Sequence, residues 1–251
     1  MEYYICIICI ALYTLIPVST TILGSAFVLF KSRVEEKLID TNMGFAIGLM
    51  IYISFIDLLM PSIEISNTLS FIGFAAGFAF IKLLDIFTPH IHTIGSNADF
   101  KTKNGKTILI ALAIAIHNIP EGFALGSSIV YDLESGFRVS LSIAVQDFPE
   151  GFAVALSVYT ITGSRLKGFA IGTASAFVEY VSAFVALISF IDIYTFLPLL
   201  LAISASAMIY VAVHEIAPKI FGHEHDEYST LGLFLGLSAG LLLEFVEIKI
   251  Y

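Results

Sequence analysis

The chain has 251 residues, of which 58% are hydrophobic and only 13% charged, and its formal net charge is −9. The charged share is about half that of an ordinary soluble domain, and a soluble fold of this size has too little interior to hide so much apolar surface. Lipid is therefore the expected solvent, and the few, scattered Lys and Arg residues exclude nucleic acid as a partner.

A spanning helix needs ~20 mainly apolar residues, and eight stretches satisfy this: 3–30, 42–63, 69–88, 107–131, 137–161, 168–190, 196–218 and 231–247. They predict an all-α, polytopic membrane protein built as one domain over residues 1–251. The opening Met1-Glu2-Tyr3-Tyr4 lacks the basic segment of a secretory signal, so the first run is expected to be retained as a helix. Cys6 and Cys9 lie in that run about one turn apart, where a disulfide is geometrically awkward, and they read as small apolar residues. With 11 Tyr and no Trp, any interfacial belt must be built from Tyr.

Orientation follows from the cations. The connections after the first, third, fifth and seventh helices hold Lys31, Arg33, Lys37, Lys101, Lys103, Lys106, Arg165, Lys167 and Lys219. The other side holds Arg138 and Lys249, and Lys82 lies inside the third helix. Nine against two is a positive-inside bias that puts both termini outside. It also puts the 89–106 connection, with His90 and His92, and the 221–230 connection, with His223-Glu224-His225-Asp226, in the cytoplasm. Such tracts read either as weak metal-binding loops or as ordinary solvated loops.

The fourth and fifth helices echo one another. His117-Asn118-Ile119-Pro120-Glu121-Gly122-Phe123-Ala124 recurs 29 residues later as Gln146-Asp147-Phe148-Pro149-Glu150-Gly151-Phe152-Ala153, with five of eight positions identical. His117 and Glu121 are spaced i, i+4 and share a helix face, with Asn118 at its edge. Gln146, Asp147 and Glu150 repeat the arrangement. At ~1.5 Å per residue both clusters fall near mid-membrane, and Glu179 in the sixth helix falls at a similar depth. Ionisable groups at that depth are expensive and read as functional by default. Pro120 and Pro149 remove one backbone donor each, so the carbonyls of Ile116 and Val145 lose their usual partner beside these side chains.

Imidazole, carboxamide and carboxylate together suit a borderline divalent cation such as Zn²⁺, Fe²⁺ or Mn²⁺. Glu121, Asp147, Glu150 and Glu179 could neutralise one or two dications, and without a cation like charges in a low dielectric cannot all ionise. The competing reading is polar glue between helices. Glue usually uses Ser, Thr, Asn or Gln rather than acids.

In the seventh helix His214-Glu215-Ile216-Ala217-Pro218 resembles the start of a zincin H-E-x-x-H, but Pro218 stands where the second His belongs. His214 and Glu215 therefore read as an exit-side relay for metal, or else as a polar helix end. Asp57, Glu244 and Glu247 near the outer ends of the second and eighth helices could draw cations to the mouth.

At these residues the sequence resembles the ZIP family of metal transporters, in particular its prokaryotic ZupT/GufA-like branch. The resemblance covers nearly the whole chain. It rests on His117-Asn118-x-Pro120-Glu121-Gly122, Gln146-Asp147-x-Pro149-Glu150-Gly151, Glu179 in a helix rich in small residues, and His214-Glu215-Ile216. It implies import of Zn²⁺ and related divalent ions, such as Fe²⁺, Mn²⁺, Co²⁺ and Cd²⁺, across the cell membrane into the cytoplasm. It further implies a binuclear site. One metal would use His117, Glu121, Gln146 and Glu150; the other would use Asn118, Glu121, Asp147, Glu150 and Glu179, the two glutamates bridging. The metals are cargo, and no cofactor is expected. A homodimer and an elevator-like motion of the first, fourth, fifth and sixth helices against the rest are also implied. The sequence departs from the pattern at Gln146, where many relatives have His, and at Tyr180, where relatives often have Pro after the Glu.

An intramembrane metal-dependent hydrolase is the alternative reading. It needs a closed three-ligand site with an open water position, whereas polar groups here run from Asp57 through mid-membrane to His214. A metal sensor would need a sizeable output domain, for which no connection is long enough.

Overall fold

The computed structural model describes residues 2–31, 34–87, 103–188, 193–222 and 226–245. His90, His92, His223, His225, Glu247 and Lys249 lie outside these residues. All regular structure among the described residues is helical. It runs α1 (Glu2–Phe30), α2 (Glu36–Tyr52), a π-helical segment (Ile53–Leu59), α3 (Met60–Ile65), α4 (Asn67–Phe87), α5 (Lys103–Tyr131), α6 (Leu133–Thr162), α7 (Arg165–Ile188), α8 (Ile193–Tyr210), a second π-helical segment (Val211–Ile216), α9 (Ala217–Ile220) and α10 (Asp226–Leu243). Each π segment joins its flanking helices into one rod, so the described residues form eight rods. Six are long and apolar enough to cross a membrane: Ile7–Phe30, Glu36–Ile65, Asn67–Leu84, Leu133–Thr162, Arg165–Ala186 and Thr195–Ile220.

Several helices begin outside the apolar runs. α2 starts at Glu36 and α6 at Leu133, ahead of the 42 and 137 where the apolar count begins. Hydropathy marks the thickness of the hydrocarbon, whereas helix ends are set by capping. For α6 the cap is Asp132, whose carboxylate accepts the Ser135 N–H at 2.9 Å. The same helix stops at Gly163, which takes a left-handed conformation with φ 72°.

The two π segments have a visible cause. Each is followed at once by proline near the start of the next helix, Pro61 in α3 and Pro218 in α9. A proline has no N–H for the carbonyl four residues back and its ring crowds that carbonyl. Widening the turn relieves both effects, and π turns recur at functional sites. The first segment carries Asp57 and the second His214 and Glu215.

The rods fall into two groups. α1, α5, α6 and α7 pack on one another, while α2 packs along α10 and α4 along α8. The groups meet where α5 lies on α8 and α6 on α2. Leu125, Ile129 and Ile143 from the first group meet Met50, Ile53, Leu201 and Met208 from the second in one buried apolar core. Without a hydrophobic driving force in lipid, close approach depends on small residues. The α2–α10 seam uses Gly44, Gly48, Gly232 and Gly236, at each of which a Cβ would overlap a carbonyl of the facing helix.

Several hydroxyls away from the site are satisfied within their own helix, as lipid favours. Thr14, Ser54 and Ser204 each donate to the carbonyl four residues back. At the Lys- and Arg-bearing ends, Lys37 and Arg165 lie over the Tyr228 and Tyr159 rings, 4.9 and 5.9 Å from their centroids.

Candidate metal centre

The two Pro-Glu-Gly echoes fix their acids by letting helices touch. α5 and α6 continue through Pro120 and Pro149. At Gly122 a Cβ would overlap the Glu179 carbonyl oxygen and crowd Ser182, so α5 reaches α7 there. At Gly151 a Cβ would crowd the Thr21 carbonyl oxygen and Ser25, so α6 reaches α1. Glycine next to each glutamate thus lets the neighbouring helix close over the carboxylate.

One oxygen from each of Glu121, Asp147 and Glu150 lies within 4.8 Å of the others. Glu179 on α7 completes the group and faces both Asp147 and Glu121. Glu121 is 1% exposed, Gln146 and Glu179 0%, and Asp147 3%. Thr21 on α1 donates to Asp147 Oδ2 at 2.8 Å. The Gln146 amide nitrogen donates to Glu121 Oε1. That bond spends the donor end of the amide and leaves its carbonyl oxygen for another partner. Within this cluster the buried oxygens without a hydrogen-bond partner among the described residues are Glu121 Oε2, Gln146 Oε1, Glu150 Oε2 and both oxygens of Glu179. Five acceptors with no donor are costly in a low dielectric. A cation shared among them removes that cost, and the oxygens of Glu121, Asp147 and Glu150 are close enough together to hold a metal ion.

The remaining residues expected at the site divide. His117 and Asn118 are buried, 7% and 5% exposed, on the same stretch of α5. His117 Nδ1 lies 3.6 Å from Glu215 Oε2 in the second π segment. Glu215 therefore comes to the edge of the cluster. His214 does not: it is exposed, and its ring sits 4.8 Å from that of Tyr210. The sequence alone does not mark Thr21 as part of the site. Its one signal is the run Ser19-Thr20-Thr21 after Pro17 in an otherwise apolar helix.

Asp57 is 4% exposed. Arg138 Nε lies 4.0 Å from Asp57 and 3.9 Å from Glu244, and its guanidinium is 3.4 Å from Glu134. Tyr52 donates to Glu244 at 3.1 Å. One cation on α6 therefore faces three acids drawn from both helix groups.

Residues 89–246 match the family described as ZIP Zinc transporter. The chain belongs to that family. It is 32% identical to "Zinc transporter ZupT" of Lysinibacillus sphaericus, the match covering 90% of this chain and 92% of the relative. It is 30% identical to "Zinc transporter ZupT" of Clostridium perfringens over 96% and 95% of the two chains. Against "Zinc transporter ZIPB" of Bordetella bronchiseptica it is 29% identical, over 90% of this chain and 77% of the relative. The ZIP match spans α5 to α10, and so includes every acid of the cluster.

Proposed function

We propose that this ZIP family member imports divalent transition metal, Zn²⁺ foremost, into the cytoplasm through the carboxylate cluster between α5, α6 and α7. The observation that carries the reading is the set of buried oxygens on Glu121, Gln146, Glu150 and Glu179 that have no hydrogen-bond partner among the described residues. Relatives that match nearly the whole chain are named zinc transporters, which disfavours the hydrolase alternative. In this reading two ions bind. His117, Glu121, Gln146 and Glu150 hold one, and Asn118, Glu121, Asp147, Glu150 and Glu179 hold the other. Four carboxylates balance two dications, so the loaded site is neutral and can cross low dielectric without the Born cost of a bare charge.

All eight rods cross the cell membrane, both termini face outside, and two copies associate. Asp57, Glu134 and Glu244 collect cations at the outer mouth, with Arg138 as their resident counter-ion. Glu215 beside His117 begins the way out, and His214 follows it. α1, α5, α6 and α7 move as a body against the other helices and carry the metal past them. Reconstituted vesicles test the function directly: uptake of radioactive zinc, with manganese as competitor, is expected to saturate. No uptake above protein-free vesicles would reject the reading. Orientation has its own test. A cysteine replacing Lys103 should resist an impermeant thiol reagent in whole cells, and one placed after Tyr251 should label. The reverse pattern would invert the topology.

Metal choice turns on Gln146. A carboxamide oxygen is a harder and weaker ligand than imidazole, which suits Zn²⁺. Even outer-shell changes move metal affinity by ~10–100-fold, so Gln146→His should lower the half-saturating zinc concentration by about tenfold. Zinc should gain over manganese, with a maximal rate unchanged or lower, because a tightly held ion leaves slowly. His117 occupies the equivalent place in the repeat, so the ring has a precedent there. An unchanged zinc-to-manganese ratio would show that residue 146 does not touch metal.

A further inference from the structure

Away from the carboxylate cluster, a cavity of about 180 Å³ opens between the end of α1, the start of α2 and the middle of α6. Phe27, Leu38, Met43, Phe148 and Phe152 form its apolar walls, and its polar lining is confined to Lys31 and Asn42. Phe27, Phe148 and Leu38 are 40%, 42% and 50% exposed, so the cavity faces the surroundings of the bundle rather than its interior. Water would find too few polar partners in such a space. A hydrocarbon chain suits its walls.

The rim adds charge. Lys31 lines the cavity where α1 ends. Arg165 is pinned to the last turn of α1, two residues before Lys31: a guanidinium nitrogen donates to the Leu29 carbonyl at 2.9 Å, and the group lies over the Tyr159 ring. Lys167 is exposed one step further along α7. Glu35 and Glu36, at the start of α2, are not part of the cavity's lining. Basic groups at a membrane surface attract anionic headgroups.

We propose that this groove binds an anionic phospholipid from the leaflet on the Lys31 side, with an acyl chain between Phe27, Phe148 and Leu38 and the phosphate against Lys31 and Arg165. None of the clustered acids lines the site, and the proposal goes beyond transport. Its walls come from both helix groups, and Pro149, beside Glu150, is part of its lining. A bound lipid therefore touches the moving body and the body it moves against.

The absence of Trp gives a clean reporter. Phe27→Trp, in vesicles of phosphatidylcholine, is read by fluorescence quenching from a minor fraction of lipid brominated on its acyl chains. Brominated phosphatidylglycerol should quench with a preference of about tenfold over brominated phosphatidylcholine. Leu38→Trp, on the facing wall, should give the same answer, and either reporter suffices if the other fails to insert. Phe71→Trp, on α4 at a position 77% exposed, should see both lipids equally. Lys31→Ala with Arg165→Ala should abolish the preference. Equal quenching by the two lipids at the groove, a preference that survives loss of both cations, or displacement by soluble glycerol phosphate would each overturn the proposal.

Discussion

Glu121→Ala or Glu150→Ala is expected to reduce zinc uptake to background while the protein is still made and inserted. Each glutamate bridges both metals in the proposed site, so its loss removes a ligand from each. Each also contributes an oxygen that no donor among the described residues satisfies. The stability consequence has a definite sign. An unneutralised buried carboxylate costs several kcal/mol, so the metal-free variants should melt no lower than the parent. The parent gains from added zinc, by about 2.7 kcal/mol when zinc is a hundredfold above its dissociation constant. The variants should lose that gain. Glu121→Gln separates charge from shape: it keeps the volume, and Gln146 can still pair with its carbonyl oxygen. Uptake should fall as far as in Glu121→Ala. The measurements are vesicle uptake and thermal melting with and without zinc. Near-normal uptake by both alanine variants would place the pathway elsewhere.

The centre of this site is legible in the sequence because lipid makes ionisable residues conspicuous. Glu121, Asp147, Glu150 and Glu179 stand out in apolar runs, and the structure clusters the first three, with Glu179 facing Glu121 and Asp147. What the sequence hides is contact across helices. Nothing local says that Thr21 donates to Asp147, because hydroxyls in membrane helices usually bond back to their own backbone. Nothing says that Arg138 on α6 meets Asp57 and Glu244, which are distant in the chain. His214 and Glu215 are adjacent, and a motif reading treats them as a pair. Neighbours in a helix point about 100° apart, and here one turns toward His117 while the other stacks on Tyr210. The π segments were readable in principle, since Pro61 and Pro218 follow them directly. An apolar count weighs those prolines only as interruptions. It does not register the wider turn they impose on Asp57 and Glu215.

The glycines of the echo give the second large effect. Gly122→Ala places a methyl group on the Glu179 carbonyl oxygen and the Ser182 side chain, and Gly151→Ala places one against the Thr21 carbonyl. Backbone atoms of a packed helix cannot rotate away as a side chain could, so the helices must part. Overpacking of this kind costs about 1–3 kcal/mol. The site should suffer more than the fold. Moving α7 from α5 carries Glu179 away from Glu121, and moving α1 from α6 withdraws Thr21 from Asp147. Metal sites tolerate displacements of only ~0.2 Å in ligand distance. Zinc uptake by either variant is therefore expected to fall at least tenfold, with insertion retained and melting lowered by several degrees. The control is Gly163→Ala, at the end of α6. Its φ of 72° makes any side chain strained there, yet no atom lies within 4 Å of the added Cβ. That change should cost ~1–3 kcal/mol through the backbone and leave zinc affinity alone. If Gly122→Ala and Gly163→Ala lower stability alike and both keep parental uptake, close packing at the Pro-Glu-Gly echoes does not set the geometry of the site.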